Sequence, residues 1–259
     1  MTVLAAALML AAPALAAGGA WQNRTWVEWG DAGLGAVAAD LASRLSAARS
    51  AWLTGPGGSA DIAVSGPGRG TGLGWEACRR IGGTTGAGVR AEWFAAGAVT
   101  GAFDGRGALL ERTRIAETLT ASLAAIEAGL WLAGEGRGPV TVRVSGFAGP
   151  AWGSLTERRV TTVDAAPPNS ADASASGPGW SAEAALELGW RVLRGTVLTY
   201  QSGYRWARVP ALRYAARADL DGNGADEIRT DAVWTTAAGR PLATEFSGWY
   251  FSVGVRVDL

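Results

Sequence analysis

Charged side chains recur at every second position in several segments, each time opposite a row of apolar residues. Alternate residues of a strand point to the same face, so this spacing predicts a polar interior behind an apolar surface. Such charges either pair as salt bridges or line a path for ions and small solutes. The residues predicted to line the interior are Arg90, Glu92, Arg143, Glu183, Glu187, Arg191, Arg205 and Arg256, and the same faces continue with Glu76, Arg80, Glu127 and Asp258.

A second candidate for chemistry is the acidic segment DLDGNGADE at 219–227. Oxygen-bearing side chains alternate there and glycines stand where the chain must turn, which is how a calcium loop begins. An EF-hand carries a Glu at its twelfth position, where this chain has Thr230. The segment is therefore closer to the short calcium loops of extracellular modules, with a solvated acidic turn as the alternative. The candidate ligands are Asp219, Asp221, Asn223, Asp226 and Glu227.

The composition argues against several functional classes. The chain carries 23 basic and 23 acidic residues, so no excess of positive charge indicates nucleic-acid binding. His is absent, which removes the commonest general base and metal ligand, and we predict no enzymatic activity. Cys78 is the single cysteine and is expected to be a small buried residue. No cofactor is predicted other than calcium at 219–227.

The N-terminal segment predicts export from the cytoplasm. Residues 1–17 form an apolar run that ends in Pro13 and the small-x-small pattern Ala14-Leu15-Ala16, although no basic residue precedes it. This pattern indicates a signal peptide, followed by a single domain at 18–259. No later run of apolar residues is long enough for a transmembrane helix.

The closing segment, TEFSGWYFSVGVRVDL at 244–259, alternates strictly between apolar and polar residues from Trp249 onward. A period of two predicts a strand with two different faces. Residues 115–132 also fit a helix face, and there a strand is favoured over a helix. Together the patterns predict eight strands, near 21–30, 71–81, 89–100, 115–132, 140–152, 180–191, 197–206 and 249–259.

Short and long connections alternate along the chain. The segments 82–86, 135–138 and 193–195 are short turns, whereas 31–70, 161–179 and 215–242 are predicted to be long loops. Within the first loop, a short amphipathic helix is predicted from Leu34, Val37, Leu41, Leu45 and Ala48, followed by a surface loop at 54–70. Connections sorted in this way are typical of an outer-membrane barrel with both termini in the periplasm. The 13 tryptophans fit either its aromatic girdles or a carbohydrate-binding surface.

Residues 70–259 resemble bacterial eight-stranded outer-membrane proteins, and most of all the Legionella-type pore-forming outer-membrane family. The resemblance lies in the hairpin GLGWEACRRIGGTTGAGVRAEWFAAGAVTGAF, the segments IEAGLWLAGEGRGPVTVRVSGFAGPAW and WSAEAALELGWRVLRGTVLTYQSGYRW, and the ending EFSGWYFSVGVRVDL. It implies pore formation and contact with the barrel-assembly machinery. Barrels of this kind usually end in an aromatic residue, whereas this chain ends in Leu259.

The sequence thus predicts an all-β fold, an eight-stranded antiparallel transmembrane β-barrel with long extracellular loops and short periplasmic turns. An interior of that size is just filled by its side chains, which favours ion pairs over an open path. The expected role is structural or weakly pore-forming in the outer membrane, with lipid as its partner and loops that bind external ligands. The alternative is a soluble secreted barrel or sandwich that binds carbohydrate or an apolar ligand.

Overall fold

The structure is a computed structural model that describes residues 21–55, 58–66, 68–108, 111–134, 139–164, 166–216 and 229–259. The predicted signal peptide at 1–17 and the candidate calcium loop at 219–227 lie outside the described residues. The elements are β1 (Trp21–Asp31), α1 (Gly35–Thr54), β2 (Ser59–Ser65), β3 (Arg69–Arg80), β4 (Thr85–Ala95), β5 (Val99–Arg106), β6 (Arg112–Gly134), β7 (Val140–Val163), β8 (Asn169–Leu193), β9 (Thr196–Val209), β10 (Arg213–Tyr214), β11 (Thr244–Glu245) and β12 (Gly248–Asp258).

Eight of these strands close into a ring in the order β1-β3-β4-β6-β7-β8-β9-β12, and every pairing is antiparallel. The closing contact joins the first strand to the last, with Val27 opposite Val253. Closure pairs the backbone groups that an open sheet would leave at its edges. The predicted fold class, an eight-stranded antiparallel barrel, is confirmed.

Alternation places the side chains of the closing strand as predicted. On β12, Tyr250, Ser252 and Arg256 are buried, while the intervening apolar residues are exposed. The ambiguous segment at 115–132 is a strand, because every second residue of β6 from Ile115 to Glu127 is buried and the strand pairs with β4, β5 and β7 along its length. The strand interpretation of this segment is therefore confirmed.

Two predicted loops were wrong. Residues 54–70 contain β2, which pairs with β5, and residues 161–179 form the end of β7 and the first half of β8. In the second case Ala173, Ala175 and Gly177 face inward between exposed Ser174 and Ser176. Small residues alternate there with polar ones, so the strand period is hidden in a sequence that looks like a low-complexity loop.

The ring has two different ends. The turn end carries the connections at 81–84 and 194–195, and the start of β1 and the end of β12 lie there, since the Leu259 amide donates to the Trp21 carbonyl at 2.8 Å. Gly195 closes its turn at φ +79°, a left-handed conformation that favours glycine. The loop end, opposite, carries α1 and the described parts of the long connection, 210–216 and 229–243.

At the loop end the barrel continues on one side only. Strands β6, β7 and β8 contain 23, 24 and 25 residues, more than twice the roughly 9–11 that cross a bilayer. Their outer halves pair with one another, and the outer half of β6 also pairs with β5, which in turn pairs with β2. We call this part the extended wall, formed by β2, β5 and the residues 112–121, 154–163 and 169–178.

Helix α1 covers the inner face of the extended wall. It contacts β2 and β5 and buries Val37, Leu41 and Leu45. It has no side-chain cap and no acidic residue in its first turn, so packing rather than local sequence stabilises it. The helix prediction is confirmed, although the helix extends to Thr54, beyond the predicted Ala48.

Candidate functional site

The outer surface of the ring carries a continuous apolar band. On β12 alone Trp249, Phe251, Val253, Val255, Val257 and Leu259 point outward, each between 38% and 59% exposed. This row covers roughly 33 Å along the strand at ~3.3 Å per residue. With the usual tilt of about 40° the band is about 25 Å high, which is the height of the apolar band of membrane barrels.

A girdle of aromatic side chains bounds the band on the side of the loop end. The register holds them at one level, because Ala124 is paired with both Trp93 and Trp152, and Tyr204 lies 4.7 Å and 5.4 Å from the rings of its neighbours Trp206 and Trp249. Aromatic residues are enriched at this position of membrane proteins, where lipid meets water. The girdle consists of Trp29, Trp93, Trp152, Trp180, Tyr204, Trp206 and Trp249.

The two faces of the sheet exchange their polarity at the girdle. Below it, towards the turn end, apolar residues point outward and charged residues inward. Above it, the extended wall carries Thr120, Thr156 and Arg158 on its outer surface and Leu119 and Leu155 on its inner surface. The polar outer surface of the wall is therefore suited to water, whereas the apolar outer surface of the ring is suited to lipid.

Within the described part of the chain, no helix has the length and apolar character required to cross a membrane.

Below the girdle the interior is filled by a layer of buried charges, which we call the charged layer. Seven of the eight predicted interior residues lie in it, each at most 5% exposed: Arg90, Glu92, Arg143, Glu183, Glu187, Arg205 and Arg256. The eighth, Arg191, is exposed at the turn end. It shares the inward face of β8, but it lies where that strand leaves the ring and its pairing with β9 becomes irregular.

Most of the charges pair across the interior, and Arg90 with Glu76 also joins the neighbouring strands β4 and β3. Arg205 on β9 contacts Glu92 on β4, with Nε 3.0 Å from Oε1, and also Glu28 on β1. Arg90 binds Glu76 at 3.1 Å as well as Glu183 on β8. Towards the turn end the remaining pairs are Arg24 with Glu187 at 3.4 Å, Arg143 with Glu76, and Arg256 with Glu187.

Arg24 and Glu28 were not predicted as interior residues. Arg24 and Glu28 are four residues apart on β1, a spacing that places both on the same face. Trp26 lies between them on that face, and this large apolar residue obscured the alternation of polar and apolar positions. Trp26 fits inside because a glycine stands opposite, where a Cβ at Gly74 would lie 1.9 Å from its ring. The indole ring is useful there, since the Arg24 and Arg90 guanidinium carbons lie 4.8 Å and 5.0 Å from its centroid.

One carboxylate in the charged layer has no arginine partner among the described residues. The layer holds the five arginines 24, 90, 143, 205 and 256 and the six glutamates 28, 76, 92, 127, 183 and 187, so it contains one carboxylate more than it has arginines. No ion pair is found for Glu127 among the described residues, and its polar neighbour is the Ser181 hydroxyl. Carboxylate oxygens of Glu92 and Glu183 lie within 4.8 Å of one of the Glu127 oxygens.

Above the girdle an apolar layer closes the interior. It contains Phe94, Leu123, Leu155 and Phe246 together with the buried face of α1. Arg44 of the helix ties this layer to the extended wall, binding Glu157 at 2.7 Å and Glu117 at 3.2 Å. Burial raises the pKa of Glu117, although the charge of Arg44 acts in the opposite direction.

These features define the class of protein: an eight-stranded membrane-spanning barrel whose interior is filled. No family model matches the chain, and no curated protein matches it. Among solved structures, the chain is similar to the outer membrane protein OprG from Pseudomonas aeruginosa, with 12% identity over 93% of this chain and 96% of that one and a TM-score of 0.39. It is also similar to Ail, the attachment invasion locus protein of Yersinia pestis, with 9% identity, 92% and 99% coverage and a TM-score of 0.37.

A third similar structure is Neisserial surface protein A, with 10% identity over 93% of this chain and 98% of that one and a TM-score of 0.33. Because these identities and TM-scores are low, the barrel is identified from its own closed ring of paired strands and not from the comparisons. The resemblance to the Legionella-type family is not confirmed by these comparisons. The calcium loop at 219–227 stays a prediction.

Proposed function

We propose that this protein is a sealed barrel of the bacterial outer membrane, a structural and non-conducting protein that holds the extended wall outside the cell. The observation that carries the proposal is the double closure of the interior. The charged layer fills it below the girdle, and the apolar layer with α1 fills it above. The proposed role requires no chemistry from either layer.

A weak pore is the alternative role for the same barrel. Ions would have to pass Arg205 and Glu92, whose contact spans the interior from β9 to the opposite strand β4. Beyond this contact they would enter an apolar layer in which Phe94 and Leu123 are at most 1% exposed. Entry of an ion into such a layer is costly, so the packing supports a sealed interior.

A soluble barrel is the other alternative, and the outer surface argues against it. Leu130 and Trp249 are 65% and 59% exposed within a band that surrounds the ring. Soluble proteins rarely expose continuous apolar patches above a few hundred Å². Placing the band in lipid puts the turn end, with the start of β1 and the end of β12, in the periplasm, as in bacterial outer-membrane barrels.

The extended wall is the part of the molecule offered to external ligands. Its outer surface is polar, and at its base Ser154 is hydrogen-bonded at 2.8 Å to Ser122, the residue that follows the wall segment of β6. Because the wall is held from within by α1, it presents a rigid surface that does not depend on the loops. Loop-mediated ligand binding, as predicted from the sequence, adds to this surface.

The proposal is tested with the full chain expressed in a Gram-negative host that lacks its major porins. We expect the protein in the outer-membrane fraction, extractable only by detergent, with an unboiled form that migrates differently from the boiled form on a denaturing gel. Recovery in the buffer-soluble fraction would overturn the membrane assignment. In planar bilayers we expect no conductance steps, and reproducible steps that disappear after boiling would overturn the sealed interior.

A further inference from the structure

A polar cavity opens at the turn end, beneath the charged layer. Its volume is about 310 Å³, at the lower limit of the roughly 300–1,000 Å³ of small-molecule sites. Among the described residues that line it, four are arginines and one is acidic: Arg80, Arg143, Arg191, Arg256 and Asp258. The role proposed above makes no use of this cavity.

Several buried donors that line the cavity have no hydrogen-bond partner among the described residues. Arg143 is 2% exposed and uses Nη2 for Glu76, but its Nε and Nη1 have no hydrogen-bond partner. The indole Nε1 of Trp131, also 2% exposed, has none either. The Arg143 guanidinium carbon lies 5.2 Å from the centroid of that indole ring. The wall of the cavity therefore offers N–H groups from two fixed side chains.

The charges around the cavity do not balance. Glu76 compensates Arg143, and Glu187 compensates Arg256. The acidic lining residue, Asp258, already accepts from Gln22 at 3.0 Å and lies 3.5 Å from Arg256 Nε. Arg80 and Arg191 are exposed and have no ion pair with any described residue, so among the described residues two guanidinium charges at the rim have no acidic partner.

Water molecules alone would satisfy the free N–H groups, but they would not neutralise the guanidinium charges of Arg80 and Arg191 at the rim. An anion satisfies the donors and neutralises the charge together. Arginine presents N–H groups in a planar fork that fits phosphate and carboxylate oxygens. A phosphate group, with up to two negative charges and several acceptor oxygens, matches both the two surplus charges and the number of donors.

We propose that the cavity at the turn end binds a phosphate group, with Arg80 and Arg191 at the rim and Arg143 and the Trp131 indole at the floor. The phosphate belongs either to a small periplasmic solute or to a phospholipid headgroup of the inner leaflet, because the rim lies at the edge of the apolar band. Arg256 adds positive charge at the side, and Asp258 orients Arg256.

The test uses the full chain purified in an uncharged maltoside detergent, because phosphocholine detergents would occupy the site. Isothermal titration at constant ionic strength compares two probes, inorganic phosphate and dihexanoyl phosphatidic acid below its micelle concentration. The variant is the double substitution Arg80→Gln and Arg191→Gln, which changes two exposed residues and leaves the charged layer intact. Arg79→Gln with Arg158→Gln is the matched control, since it removes the same charge from positions outside the cavity.

We expect saturable binding of at least one probe, weakened at least about tenfold by the rim variant and unchanged in the control, because each charge-assisted hydrogen bond contributes to affinity. Binding of inorganic phosphate would identify a solute site, and binding of phosphatidic acid alone would identify a headgroup site. The proposal is overturned if neither probe saturates, or if both variants bind equally well. The unboiled gel shift is recorded on each variant, so loss of binding is separated from failure of the barrel.

Discussion

Arg205 and Glu92 are joined across the full width of the barrel, since their strands, β9 and β4, lie opposite each other in the ring. The guanidinium also binds Glu28 and lies 4.9 Å from the ring centroid of Phe94. One side chain thus connects three strands and touches the boundary between the charged and apolar layers.

This position predicts that loss of the Arg205 charge destabilises the barrel. Arg205→Met keeps an unbranched, largely apolar side chain but leaves the two buried carboxylates of Glu28 and Glu92 without their cation. Loss of one partner from a buried ion pair costs about 3–5 kcal/mol, so we expect the free energy of unfolding to fall by about that amount. Urea unfolding in lipid vesicles, followed by tryptophan fluorescence, measures it. Arg158→Met, on the exposed surface of the wall, is the control. An equal loss of unfolding free energy in both variants would contradict a stabilising role for the contacts of Arg205 with Glu28 and Glu92.

The surplus carboxylate predicts that two neighbouring glutamates respond differently to the same substitution. Glu183→Gln leaves Arg90 with one carboxylate fewer and should cost about 3 kcal/mol. Glu127→Gln removes the carboxylate that has no cation and lies near Glu92 and Glu183, so stability should be unchanged or higher. The measurement is the urea midpoint of each variant in the same vesicles. A large loss in Glu127→Gln would show that this carboxylate has a partner after all.

Much of the fold could be predicted because alternation is local. The row from Trp249 to Leu259 defines both faces of β12 without reference to any other strand. The extended wall could not be predicted in this way, since Ala173 and Ser174 differ little in character and only their pairing with β7 separates inside from outside. The site follows the same division. Strand spacing predicted that Arg90 and Glu92 lie in the interior. It did not predict that Arg90 binds glutamates on β3 and β8, because the choice of partner depends on the geometry of the closed ring.

The girdle defines where lipid should end, and paired arginine substitutions test this. Val255→Arg places a charge in the middle of the apolar band, where it should cost about 2–4 kcal/mol. Thr156→Arg places the same side chain on the outer surface of the wall, where the change should stay within about 0.5 kcal/mol. Folding yield into vesicles, read from the unboiled gel shift, compares the two. Similar losses at both positions would place the wall in the membrane and contradict the boundary.

Gly101 tests whether α1 is held in the interior by close packing. A Cβ at this position would lie 2.8 Å from the side chains of Leu41 and Leu45, whereas a Cβ at Gly66 would have no atom within 4 Å. Gly101→Leu should therefore displace the helix at a cost of about 1–3 kcal/mol, and Gly66→Leu should not. Trypsin cleavage after Arg49 is the measurement, and we expect it to be about tenfold faster in Gly101→Leu. Because the charged layer stays in place, this variant should remain non-conducting, and conductance steps in it would show that the helix alone seals the barrel.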